Sequence, residues 1–204
     1  MKTLIYLFAI VMLIFAGCAK DEMFDQTPDL KKAKVPIPMK AEFCMTNAPN
    51  PGCLDPSCNF IPVIDAPEFF PIKAFPVYGN ISGHATHMGE VITEKSYGIK
   101  TSCIYKDFGT PNPLDDELWM ESHGRITADN GDSYAFTHPA ESPMKIKLNL
   151  FYSNIPILPF TGEVIMSDGT GKFEDVSGLV VMEGQTDLQA QTTCWRGEGT
   201  MWYK

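Results

Sequence analysis

The side chains in this chain of 204 residues that could carry chemistry are few, chiefly six cysteines and four histidines. His84 and His87 are the pair whose spacing invites a metal. On a helix that interval would bring both imidazoles to one ion. Residues 81–93 alternate as a strand, however, and positions three apart on a strand point to opposite faces. Ile81, Gly83, Ala85, His87, Gly89 and Val91 share one face, and Ser82, His84, Thr86, Met88, Glu90 and Ile92 the other. A face so rich in small residues suits the crowded inside of a barrel, which puts His87 inside and His84 outside. A buried imidazole then needs a partner, because leaving it unpaired costs ~1–3 kcal/mol. Glu121, His123 and Arg125 share one face of the strand expected at 118–127 and are placed to supply one, so His87, Glu121 and Arg125 form the expected cavity cluster. The competing reading of Glu121, His123 and Arg125 is a solvated outer face. No Ser-His-Asp order, paired carboxylates or metal motif marks a catalytic residue, and no cofactor is expected.

The cysteines beyond the first are Cys44, Cys53, Cys58, Cys103 and Cys194. The spacing Cys-x8-Cys-x4-Cys matches no common zinc pattern, and in an oxidising compartment such residues form disulfides. Five is an odd number, so at least one stays free or pairs between molecules if the others bridge. A bridge within the 44–58 loop is expected, because that loop is rich in Pro, Asn and Gly and has little core to hold it. Cys103 and Cys194 lie in strand-like stretches that could be neighbours.

Cys18 stands apart from these. Lys2 opens the chain with positive charge, residues 4–15 are apolar, and Ala16-Gly17-Cys18 follows. The apolar run is shorter than the ~20 residues that cross a bilayer and has small residues after it, so residues 1–17 read as a signal peptide. Phe15-Ala16-Gly17-Cys18 resembles a bacterial lipobox, with Phe15 where Leu is usual. That resemblance implies cleavage before Cys18 and acylation of its thiol by chains such as palmitate. At ~0.8 kcal/mol per buried methylene, several acyl chains make such a tether effectively permanent. Residues 18–40 are polar and spotted with proline, as a flexible tether is. Lys20-Asp21-Glu22 within them resembles the short acidic signals that export lipoproteins to the outer face of an outer membrane, or is an ordinary solvated linker.

A formal charge of −9 and a pI near 4.8 argue against nucleic acid and against anionic headgroups as partners. Gly and Pro number 16 each and charged residues make up only 20%, a balance that favours short strands and turns over helices. Residues 41–67, with prolines at 49, 51, 56, 62 and 67, cannot be a central strand and read as a Cys/Pro-rich cap. Residues 68–204 then form the barrel domain. Strands are expected at 81–93, 99–108, 118–128, 133–137, 145–152, 162–166, 178–183 and 192–203, with a proline-broken edge at 155–160. The best hairpin crosses Asp129-Asn130-Gly131-Asp132, where Asn-Gly suits a type I′ turn. The fold class is all-β, a single antiparallel barrel of about eight strands.

Three segments in order, Gly83 to Gly89, Ile126 to Asp132 and Ser167 to Gly178, together resemble a group of small secreted bacterial barrels. Their architecture is similar to that of allene oxide cyclase and dirigent proteins. The resemblance implies a calycin-like barrel of about eight strands over residues 70–204 and transfers no catalytic residue. The glycines of Asp168-Gly169-Thr170-Gly171 make a tight turn rather than a phosphate cradle, since no Gly-Lys-Ser/Thr and no helix follow.

Two function classes follow. The first is a non-catalytic, lipid-anchored protein of the cell outer membrane whose barrel binds a small apolar molecule, a glycan or a partner protein. The second is an enzyme of the cyclase or dirigent kind that uses the barrel cavity. The absence of a catalytic motif favours the first.

Overall fold

The computed structural model describes residues 36–110, 115–139, 141–149 and 156–203. The stretch expected to be a signal peptide, the expected lipidation site Cys18 and most of the expected tether lie outside these residues, as does the 150–152 end of the strand expected at 145–152. Among the described residues no helix reaches seven residues, and the strands close an antiparallel barrel with eight staves.

The barrel strands are β1 (Ile37–Asn47), β4 (Tyr78–Ala85), β6 (Tyr97–Lys106), β7 (Glu117–Thr127), β8 (Ser133–Thr137), β9 (Met144–Lys147), β10 (Ile157–Ser167), β11 (Val176–Asp187) and β12 (Thr192–Tyr203). Their order round the wall is β1-β12-β11-β10-β8-β7-β6-β4, with β9 also between β10 and β7. β8 and β9 therefore share one stave, with a break between them. The wall closes because β1 pairs on both sides, Cys44 lying opposite Cys194 of β12 and opposite Ser82 of β4. Closure removes the long free edge that β1 or β4 would present to another strand in an open sheet.

β1 shows the alternation that builds the wall. Met39, Ala41, Phe43 and Met45 are buried, while Lys40, Glu42 and Thr46 are exposed between them. Lys40 and Glu198 are opposed across β1 and β12 with a 3.1 Å ion pair, and Arg196 and Glu42 repeat the arrangement at 3.1 Å. Such exposed pairs favour the register more than they add stability. This strand corrects the expected boundaries, because residues 37–47 belong neither to the tether nor to the cap but to the barrel. Pro36 and Pro38 stand at its start, where a proline is tolerated.

The cap occupies residues 48–77 instead. It contains the hairpin of β2 (Phe60–Pro62) and β3 (Ala74–Pro76), and a 3-10 turn at Pro56–Asn59 whose first amide, that of Ser57, donates to the Asp55 carboxylate at 2.9 Å. Fully buried Phe70 packs edge-on to Tyr105 of β6, with ring centroids 5.0 Å apart, and Ile64 bridges Ile104. These contacts hold the cap against the end of the barrel where β1 finishes.

Two further expectations change in detail. Gly131 has φ +89°, whereas Asn130 is not among the residues of positive φ, so the β7–β8 turn is not type I′. Asn130 instead braces Asp132, accepting from its amide at 3.0 Å and donating to its carboxylate at 2.9 Å. Pro159 does not break an edge but sits within β10, opposite Gln185 and just past the last β9 pairing at Phe160 and Ile146.

The cysteines pair as Cys44–Cys194 and Cys53–Cys58, and Cys103 is free and buried. The loop bridge matches expectation. Cys194 does not neighbour Cys103, since β12 lies beside β1 and not beside β6. The cross-strand bridge spans 150 residues and the loop bridge 5, and in the chain-entropy account their contributions are about 5 and about 2 kcal/mol. The double variant Cys44→Ser/Cys194→Ser should therefore lose more unfolding free energy in urea than Cys53→Ser/Cys58→Ser. Equal losses would contradict the assignment, as would alkylation of more than one described cysteine without reduction.

Candidate functional site

Inward side chains do not fill the barrel. They leave a cavity of about 300 Å³, twice the roughly 150 Å³ that holds one benzene in an engineered apolar void. Six methionines line it, Met39 and Met45 from β1 and Met120, Met144, Met166 and Met182 from β7, β9, β10 and β11. Aromatic rings, among them Phe43, Tyr134, Phe136 and Trp195, fill the spaces between. Methionine is unbranched and polarisable, so such a wall adapts to the shape of what it holds. The mouth lies between the cap hairpin, with Phe60 and Ala74 exposed, and the β11–β12 turn with Leu188 and Gln191. A second, wider depression runs over Glu42, His84 and Arg196, mixes charged with apolar groups and is open to solvent.

One polar band crosses the apolar lining. It starts from an irregularity in β6, where the pairing with β7 slips between Lys100 and Ser102 and leaves Thr101 extra. A bulge of this kind re-aims side chains. Before it, even-numbered Gly98 and Lys100 face inward, and after it odd-numbered Cys103 and Tyr105 do. Lys100 is thereby drawn inside at 6% exposure. Its ammonium donates to Asn47 Oδ1 at 3.2 Å and to the Pro76 carbonyl at 3.0 Å. Both acceptors are neutral, and among the described residues no carboxylate pairs with it. Burial pushes the Lys100 amine down to about 8 and the Cys103 thiol up to about 12, which makes that thiol a poor nucleophile.

Opposite Lys100 across the strand pair is Ser122, which also lines the cavity. Its hydroxyl lies 3.0 Å from His138 Nδ1, and its carbonyl lies 3.2 Å from the same nitrogen. His138 sits in the break between β8 and β9, buried at 7% exposure, and its Nε2 is buried with no partner. Burial lowers its affinity for a proton, against the opposing effect of the hydrogen bond to the Ser122 carbonyl. Asn47, Lys100, Ser122 and His138 thus form a polar girdle inside an otherwise apolar chamber. Among the described residues, no three His, Cys, Asp or Glu side chains are grouped to hold a metal.

None of the expected cluster lines this cavity. β4 stops at Ala85, and the chain turns back through Thr86, His87 and Met88 to β5 (Gly89–Glu90). His87 adopts φ +67° in that turn, half-buried, with Nε2 3.3 Å from the Pro38 carbonyl. Glu121 and Arg125 belong to the outer face of β7, whose inward face is Leu118, Met120, Ser122, Gly124 and Ile126. Arg125 reaches outward to Ser133 Oγ at 2.8 Å and to the Asp168 carbonyl at 3.3 Å. His84 is exposed, as its strand face implies. The residues that do line the site, Lys100 above all, were missed because alternation across an unrecognised bulge assigns them to the wrong face. The available signal was a parity conflict in 98–105, where no single alternation puts Gly98 together with Cys103 and Tyr105.

Comparisons with protein-family models, with curated proteins and with solved structures gave no match to this chain. Fold and cavity together define a small closed β-barrel with a ligand-sized apolar chamber.

Lys100 yields a stability prediction. Its folded proton affinity, near pH 8, lies below the unfolded value of 10.5, so the fold favours the neutral amine, and the enclosed charge costs roughly 3 kcal/mol at pH 7. Between pH 8 and 10.5 the unfolded chain holds more protons than the folded one, and stability rises with pH. Lys100→Met should be more stable than the native protein by ~1–3 kcal/mol at pH 7, and the gap should close toward pH 10.5. Urea titrations across that range test it, and a destabilised Lys100→Met at pH 7 would refute it.

Proposed function

We propose that this chain is a lipid-anchored protein of the bacterial outer membrane, carried on acylated Cys18, whose barrel binds one small apolar molecule and does not transform it. The observation that carries the reading is the cavity of about 300 Å³, walled by methionine and aromatic side chains and entered beside the cap. Ligand pockets begin at about that volume and combine apolar walls with a few placed polar groups. An apolar wall supports a small hydrophobic ligand over a glycan, whose hydroxyls would need many more partners. Binding is favoured over catalysis by the Ser122–His138 contact. One nitrogen meets both oxygens of the same serine, and no described carboxylate orients the ring, so the pair lacks the relay that an activated nucleophile needs. The anchor rests on the short apolar run and the Ala16-Gly17-Cys18 sequence.

Trp195 lines the cavity and reports on its contents. A neutral two-ring probe, 2-naphthalenemethanol, should change tryptophan fluorescence saturably with one molecule bound per chain. Ala41→Phe, which grows a ring from the cavity wall, should weaken that binding at least tenfold while thermal unfolding stays cooperative. Unsaturable binding, or binding indifferent to Ala41→Phe in a folded variant, would end the reading.

The anchor has its own test. In cells fed a labelled fatty acid the native chain should take up label, and Cys18→Ser should accumulate as an unlabelled precursor. Labelling of the Cys18→Ser protein would exclude acylation at this thiol alone.

A further inference from the structure

We propose that the ligand is a compact apolar monocarboxylic acid, its carboxylate seated on the Lys100 ammonium at the polar girdle and its apolar body lying among the methionines. The proposal rests on the ligand-binding reading of the cavity and names the chemistry that the site selects.

The geometry points to an anion. An ammonium carries three donors, and Lys100 places two of them on Asn47 Oδ1 and the Pro76 carbonyl, which carry no charge. A cation withdrawn from water calls for an opposite charge, and truncating or omitting one partner of such a pair is costly. Among the described residues nothing supplies that charge. Asp187, the acidic residue that lines the cavity, is at the rim and is engaged by the amides of Gln189 at 2.8 Å and Ala190 at 2.9 Å. Cys103, the group that interacts electrostatically with Lys100, holds its proton. Ser122 stands directly across from Lys100 and brings a hydroxyl to the same part of the chamber. A carboxylate accepts from both, which a neutral alcohol cannot match in strength.

The rest of the cavity sets the body of the ligand. Thr186 and Thr193 bond to each other at 3.1 Å, which meets part of their hydrogen-bonding demand within the wall, and neither carries a charge. With one cation inside, a single negative charge is accommodated and a second is not. A volume of about 300 Å³ fits roughly two benzene-sized rings or an aliphatic body of that bulk.

Matched probes decide the point. Calorimetric titration of the intact chain with 2-naphthoate and with 2-naphthalenemethanol compares nearly equal bodies that differ in charge. The native chain should bind naphthoate at least tenfold more tightly. Lys100→Met should bring that ratio to one or below, and Asn47→Asp, which supplies Lys100 with an internal carboxylate, should do the same. If Lys100→Met does not fold, Asn47→Asp decides. Alcohol and acid bound equally by the native chain would overturn carboxylate recognition while leaving the cavity reading in place. A preference that survives in both variants would show that Lys100 does not provide it. If neither probe binds the native chain, the cavity reading falls and this inference falls with it.

Discussion

The structure depends on the two-sided pairing of β1. A strand with neighbours on both flanks turns a curled sheet into a wall, and only a closed wall can enclose a chamber that water does not enter freely. Here the pairing joins the first and last described strands, β1 and β12, while β4, on the other side of β1, comes after the cap. Closure therefore waits on contacts far apart in sequence, which is entropically slow. The Cys44–Cys194 bridge lies at that seam, where a covalent tie constrains the unfolded chain most.

Closure fixes which side chains face in, and the β6 bulge then makes the one exception that matters. Without the extra residue at Thr101, either Gly98 and Lys100 or Cys103 and Tyr105 would face the solvent. Either outcome would be better for one half of the strand and worse for the other. Tyr105 is needed inside, where Phe70 of the cap packs on it. Gly98 is needed inside as well, because a side chain there would meet Met45. Lys100 is carried in between these two demands. The same bulge that secures cap and wall thus places a charge beside an apolar chamber, and local frustration of that kind is characteristic of functional positions.

How much of this was legible in the sequence depends on whether each stretch obeys one period throughout. β12 matches its expected span, and the β7–β8 hairpin matches to within a residue, because their alternation is uninterrupted and a turn sequence separates the hairpin strands. The loop disulfide was legible from composition. β1 was not, since its prolines and charges resemble the polar stretch before it, although Met39, Ala41, Phe43 and Met45 alternate cleanly with Lys40, Glu42, Cys44 and Thr46. The site was hidden for a different reason. Extending the β4 alternation past Ala85 carried His87 inward, and the chain in fact turns there with His87 in a left-handed conformation that no pattern of polarity announces. His138 was equally silent, being placed by a break in a stave rather than by a strand face.

The cavity is too large to be a packing defect. Void in a protein core costs about 24 cal/mol per Å³, so about 300 Å³ of true vacuum would cost roughly 7 kcal/mol, comparable to the whole stability of a typical domain. Methionine side chains are flexible enough to collapse into space of that kind, and six of them line the walls without doing so, because the strand count and pairing hold the walls apart. Water relieves only part of the cost, since an ordered water needs two to four polar partners, and these are confined to the girdle from Asn47 to His138 and to the side of the chamber near Thr186, Asp187, Gln191 and Thr193. The apolar remainder gains most from an apolar occupant, and the girdle gains most from one that ends in a hydrogen-bond acceptor. On the proposed reading, a chamber of this construction is stabilised by a bound apolar molecule. Occupancy of that kind should raise the stability of the barrel and not merely fill it.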